Sequence, residues 1–295
     1  MVDLAASALT QRPSRWPAAL ARGGRRLWLG GALVGVLFLV ALLAPLLAPH
    51  DPIEQDLMSA QLPPAWMQGG LSGYPLGTDS LGRCVLSRLM FAARTAVAVA
   101  LIAASLAAAI GILFGLFAGM FGGWIDQGVS RLIDVWMAFP PVLLSIVLAA
   151  VIGAGLTSVI AAIVVVDWTR FARVIRAETM VQLQRDYAAA ARVLGLSRGQ
   201  LLRLEILPNL VPLTVTLFAV EMGIAILVEV ILSFVGISVA GDTPTWGGMI
   251  VEGRQIVYQA PWIMAFPIGC VILSVIAFNV LGDGLRAALD PVQRR

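Results

Sequence analysis

The chain has 295 residues, 59 % of them hydrophobic and 13 % charged, with a mean hydropathy of +0.91 and a formal net charge of +3. A soluble domain carries about a quarter charged residues, so this composition excludes a soluble globular chain and predicts an all-α, polytopic integral membrane protein. All 20 basic residues are Arg and none is Lys, which excludes a P-loop lysine and a Schiff base, while one His (His50) and two distant cysteines (Cys84, Cys270) point to no metal site, catalytic residue, cofactor site or disulfide.

The first apolar run, 27–48, follows Arg12, Arg15, Arg22, Arg25 and Arg26. It exceeds the roughly 7–15 apolar residues of a secretory signal and is read as a retained span, with residues 1–26 in the cytoplasm. Residues 49–94, rich in Pro, Gly and acids, form an external loop. Near its end Leu81, Val85 and Leu89, with Arg83 and Arg88 on other faces, predict a short amphipathic helix at the outer interface. The second span is 95–119, where Gly111, Gly115 and Gly119 make a small-residue face for close helix packing, most often within one chain.

No charge falls between Asp134 and Asp167, a stretch long for one helix and short for two, with Gly153-Ala154-Gly155 near its middle. One span would place the seven Arg of 170–203 outside, whereas two, at 130–152 and 156–175, place them inside, as the positive-inside rule prefers. The fifth span is 210–235, followed by an external loop at 238–261 in which the Thr243–Gly248 turn offers an exposed Trp246. The sixth is 262–285, with a cytoplasmic tail at 286–295. This six-span topology holds sixteen Arg inside and four outside. Trp124, Trp136, Trp168, Trp246 and Trp262 fall near the expected interfaces, as aromatic anchors do.

The cytoplasmic segment 176–208 is more than a connector. An Ala-rich helix from Asp186 to Leu194, with Tyr187, Ala190 or Ala191, and Leu194 as its apolar stripe, is broken at Gly195. A second helix restarts at Ser197, where Ser197 and Gln200 make a capping box, and ends at Pro208. Such a knob suits a socket on a partner protein, or equally an amphipathic hairpin on anionic lipid. Three carboxylates lie within spans: Asp167, Glu221 and Glu229. Each either lines a path, as a gate or a ligand for a peptide amine, or is neutralised or bonded to a neighbouring helix and holds the bundle together. Asp167, near the cytoplasmic end, is expected to be solvated. Glu221 and Glu229, eight residues apart, share a helix face.

DYAAAARVLG followed by EILPN resembles the EAA loop of the membrane subunits of binding-protein-dependent ABC importers. Ala190, Ala191, Gly195, Leu207 and Pro208 match that pattern; its Glu position holds Ala189, and its Ile position holds Glu205, beside Ile206. Tyr74–Thr95, Leu227–Ile250 and Ala260–Pro291 are similar to further blocks of the second permease of the dipeptide and oligopeptide group, in the same order. The resemblance implies an ABC type I importer permease architecture in a bacterial inner membrane, with both termini cytoplasmic. It also implies four partners: a second, homologous permease, two cytoplasmic ATPases that hold ATP and Mg, and an extracytoplasmic substrate-binding protein. Asp186, Tyr187, Ala189, Ala190, Ala191, Arg192, Gly195, Leu207 and Pro208 are then the segment that meets an ATPase. This chain itself binds no cofactor and catalyses nothing, and its Arg clusters mark topology, not nucleic acid.

Two other classes compete. An ion-driven secondary transporter would use Asp167, Glu221 and Glu229 as ion sites but has no use for the knob; an assembly protein would transport nothing. Within the importer family a nickel-type permease is the alternative to a peptide permease.

Overall fold

The computed structural model describes residues 24–237 and 243–289. Most of the cytoplasmic segment expected at 1–26, most of the tail at 286–295, and 238–242 of the last outer loop lie outside the described residues. Among the described residues the fold is all-α, with one isolated bridge between Thr78 and Cys84 and no strand.

Helix α1 (Gly24–Leu47) runs along α10 (Trp262–Leu289). Small residues set that approach: a Cβ on Gly30 would lie 2.4 Å from the Leu281 backbone nitrogen, and one on Gly284 2.5 Å from the Leu27 Cα. In lipid the drive for helix association is close packing, which small residues permit. The opposite face of α1, including Trp28, Leu42 and Leu46, is exposed, as a lipid-facing surface must be.

Helix α2 (Val85–Phe121) is the central element, 37 residues and about 55 Å long. Its buried face is a ladder of alanines from Ala92 to Ala107 and then Gly111, Gly115 and Gly119. The glycine face packs within the chain, against α5 (Leu156–Leu183): Cβ atoms there would stand 2.4 Å from the Trp168 carbonyl oxygen, 2.7 Å from that of Ala172 and 2.7 Å from the Thr179 Cβ. The short outer helix expected around Leu81 to Leu89 does not exist separately. Val85 to Leu89 form the first turn of α2, Leu81 to Cys84 precede it outside any helix, and Arg83 and Arg88 are both buried.

Between α2 and α5 lie α3 (Gly123–Met137) and α4 (Pro141–Ile152), bent by 86° at the break that holds Pro140. The expected 130–152 is therefore no single straight helix, because consecutive prolines remove two backbone donors and their rings obstruct the preceding turn. Trp136, at the end of α3, donates its indole N–H to the Val165 carbonyl at 2.6 Å. Trp168 and Trp246 are buried inside the protein, so neither is an interfacial anchor.

After α5 come α6 (Asp186–Val193) and α7 (Arg198–Leu201), then a π turn over Leu202–Ile206 that leads without a break into α8 (Leu207–Phe234). The expected stop at Pro208 is overturned. The wider π turn takes up the clash and the missing N–H of Pro208, which then sits in the first turn of α8. At the end of the bundle opposite α6, α9 (Trp246–Gln255) forms a cap, with Thr245 accepting from the Gly248 N–H at 3.0 Å. Trp246, expected to be exposed, is inserted beneath α9 and donates to the Leu89 carbonyl at 3.2 Å.

By length and composition α1, α2, the run α7 to α8, and α10 can each cross a membrane, and the bent pair α3 and α4 can form a fifth crossing. α5 is as long as α8, but Asp167, Arg170 and Arg173 interrupt its apolar character; Asp167 and Arg170 are paired with Glu221 in the bundle, and Arg173 is paired with Asp134 at the surface.

Candidate functional site

The knob is built from α6 and α7 and rests on the ends of three long helices. Ala188, Ala191, Leu201 and Ile206 are buried with Ile175 of α5 and Leu210 of α8, and Ile112, Leu116 and Met120 of α2 pack on the same cluster. Of the expected stripe of Tyr187, Ala190 or Ala191, and Leu194, Ala191 is buried and Tyr187 packs on the same cluster, whereas Ala190 and Leu194 are exposed. Ala188 and Ala191, lacking bulk beyond Cβ, let α6 lie close to α5 and α8, and this turns Ala189, Ala190, Arg192, Val193 and Leu194 outward. Val193 is 87 % and Leu194 68 % exposed, unusual for side chains of this type unless something covers them.

Local chemistry fixes this shape. Asp186 sits in the first turn of α6, where the helix dipole favours an anion, and Arg192 in the last, where it favours a cation. Arg192 also donates to the Leu183 carbonyl at 3.1 Å. Gly195 at φ +84° closes α6: its N–H donates to the Arg192 carbonyl at 3.0 Å and the Leu196 N–H to that of Ala191 at 3.1 Å, a Schellman end that needs the left-handed region. Ser197 and Gln200 then form the reciprocal capping box. Tyr187, half-buried, donates its hydroxyl to Gln182 Oε1, and burial raises its phenol above the ordinary range. Leu207 is half-buried and Pro208 exposed at the foot of α8. Beside α6 a cleft of about 430 Å³ opens between Met120, Leu183, Arg192, Leu196, Arg198 and Leu201. Where the EAA pattern has Glu, the exposed Ala189 presents only a methyl group.

The three membrane carboxylates are apart from the knob, Asp167 and Glu221 together and Glu229 separate from them. Asp167 is buried, not solvated, and shares Arg170 with Glu221: Arg170 Nη1 donates to Glu221 Oε2 at 3.0 Å, and Nη2 stands 3.6 Å from Asp167 Oδ1. Glu229, two turns along α8, accepts from Ser233 Oγ at 2.6 Å beneath Thr245 at the start of α9. Despite their common helix face, Glu221 is bonded to Arg170 of α5, whereas the Glu229–Ser233 bond lies within α8 and it is Ser233 Oγ that meets Thr245 Oγ1 at 3.3 Å.

Two charged groups escaped sequence reasoning. At the end of the bundle away from the knob, Asp79, Arg83, Arg88 and Glu252 form a cluster in which Arg83 Nε donates to Asp79 Oδ2 at 2.7 Å and Arg83 Nη2 to Glu252 Oε2 at 2.9 Å. Elsewhere Arg176 Nη2 donates to Asp126 Oδ2 at 2.8 Å and Arg173 Nη2 to Asp134 Oδ1 at 3.2 Å, tying α3 to α5. The signal available was the placement of Arg83 and Arg88 five residues apart at the mouth of an apolar run.

Residues 111–295 match the family described as binding-protein-dependent transport system inner membrane component, and residues 25–64 match the N-terminal TM domain of oligopeptide transport permease C. The chain is 42 % identical over 270 residues to the dipeptide transport system permease protein DppC of Haemophilus influenzae, covering 88 % of this chain and 90 % of that protein. It is 38 % identical over 266 residues to the di/tripeptide transport system permease protein DppC of Pseudomonas aeruginosa, covering 88 % of each chain. It is also 39 % identical over 264 residues to the glutathione transport system permease protein GsiD of Salmonella typhimurium, covering 88 % of this chain and 84 % of that protein. A multi-pass helical chain without catalytic chemistry, matched over most of its length by permeases, belongs to the inner membrane components of binding-protein-dependent ABC transport systems.

Proposed function

We propose that this chain is one of two permeases forming the path of an ATP-driven importer of short peptides, and that α6 is the surface on which an ATPase subunit acts. The observation that carries the reading is the division of α6. Its alanine face is packed on α2, α5 and α8, and its outer face presents Ala189, Ala190, Val193 and Leu194 to whatever binds from the cytoplasm. The short side chains of Ala189 and Ala190 admit a close partner backbone, and Arg192 and Asp186 border it. ATP and Mg sit on the two ATPases and an external binding protein delivers the substrate; with α5 as a sixth crossing beside the five that length and composition support, both termini lie in the cytoplasm. The substrate class is supported by the names of the relatives, which include dipeptide and glutathione permeases.

The test is a tagged purification from the native membrane in mild detergent, with mass spectrometry of the recovered chains. The expected result is two P-loop ATPases and a second permease, with uptake of labelled dipeptide that stops when ATP is depleted. A chain recovered alone, whose uptake collapses with the proton gradient and not with ATP, sinks the proposal. Competition between dipeptide, longer peptide and glutathione then fixes the cargo.

A further inference from the structure

The knob rests on α2, α5 and α8, so a push on α6 reaches α5 and α8 as well as α2. α5 is held to α2 by the Gly111, Gly115 and Gly119 approaches, where there is no slack for relative movement. The α5–α8 boundary is different. It is apolar where Phe171 meets Leu217 and Phe218, and where Ile175 meets Leu210. Arg170 and Glu221 add an ionic bond between the same two helices.

That bond has an unusual companion. Arg170 carries a second carboxylate one turn back on its own helix, with Asp167 Oδ1 3.6 Å from Nη2, inside ion-pair range and beyond hydrogen-bond reach. Asp167 and Glu221 are 4 % and 2 % exposed and lie close enough to interact with one another as well as with Arg170. A static brace between two helices needs one acceptor. A second acceptor on the cation's own helix keeps the guanidinium, whose side chain is 35 % exposed, paired when the helices part.

We propose that Arg170 is a transferable tie, bound to Glu221 in the conformation seen here and handed to Asp167 when α6 moves, so that α8 shifts against α5 without an unpaired cation. Arg170, Asp167 and Glu221 are then positioning residues of the transport cycle. This rests on the importer reading above. The charge left on Glu221 opposes release and Asp167 favours it, so removing either carboxylate biases the two conformations in opposite senses.

The experiment uses the complete complex with both ATPases in lipid nanodiscs, measuring ATP hydrolysis without substrate and dipeptide moved per ATP. Glu221→Gln and Asp167→Asn are expected to move basal hydrolysis in opposite directions, each by about threefold or more, the scale of mutations along a coupling route. Both are expected to lower the peptide moved per ATP. Asp167→Asn carries the decision, because it leaves the Arg170–Glu221 bond intact. If it is indistinguishable from wild type, or shifts hydrolysis in the same direction as Glu221→Gln, Arg170 is a static brace and the proposal is overturned. Wild-type chain that recovers no ATPase overturns the importer reading itself, a distinct outcome read before any variant is made.

Discussion

Arg88 and Glu252 are 164 positions apart and bonded: Nη2 of Arg88 donates to Oε1 of Glu252 at 3.1 Å on the outer side of the molecule. Arg88 is in the first turn of α2 and Glu252 in α9, so the pair fastens the outer cap to the central helix. Arg83 joins Glu252 as well, which leaves Glu252 and Asp79 to balance two buried cations. Glu252→Ala is expected to destabilise the chain by about 1–3 kcal/mol, below the full cost of breaking a buried pair because the Glu252 side chain is 35 % exposed. Thermal unfolding in detergent checks this; an unchanged transition would mean that Asp79 alone suffices.

Close packing of α2 on α5 sets a second expectation. Gly115→Ala places a methyl carbon 2.7 Å from the Ala172 carbonyl oxygen and is expected to cost about 1–3 kcal/mol through overpacking. Gly31→Ala in α1, with nothing within 4 Å, is the control and is expected to be neutral or slightly stabilising. Comparing folded yield and melting of the two variants against wild type decides it.

On α6, adjacent alanines are expected to behave differently. Ala190→Trp, on the exposed face, leaves insertion and melting unchanged but weakens ATPase recovery by about tenfold or more, as a large side chain in a tight interface does. Ala188→Leu, at a site with no exposure, costs about 1–3 kcal/mol of stability before any partner is added. Ala189→Glu, which restores the acidic position of the EAA pattern, is expected to fold normally because that site is exposed. Co-purification paired with melting separates these outcomes.

A pH dependence follows from Tyr187. Burial raises its phenol above the ordinary tyrosine range, so the folded knob prefers the protonated form. The stabilisation is fully present below the unfolded value near pH 10 and is lost as pH rises through the higher folded value. The knob is therefore expected to loosen in alkali, read as phenolate absorbance and accelerated proteolysis between α5 and α8. Tyr187→Phe should remove the late-titrating phenol and the alkaline step together.

Much of the architecture is legible in the residues because a lipid solvent enforces long apolar runs. The glycines at 111, 115 and 119 likewise announce a close approach, although only the fold names α5 as the helix approached. The rotation of α6 was not legible: four consecutive alanines, Ala188 to Ala191, look alike on every face, and only the shapes of Ile175 and Leu210 choose Ala188 and Ala191. Pro208 misled because a proline stop is a local rule, and five residues of π geometry around it evade the rule. Arg83 and Arg88 were assigned to outward faces because helical periodicity carries no trace of a partner as remote as Glu252.

Helix α2 has no proline in its 37 residues, starts in the outer cap at Val85 and ends at Phe121, with Leu116 and Met120 against the knob. It therefore behaves as a lever. A tilt of about 5° around its midpoint swings each end by about 2–3 Å, in opposite senses, over a rod of about 55 Å. Pressure on the outer cap and pressure on the knob act on one stiff body, so news of either reaches the far side of the membrane at the speed of a rigid rotation.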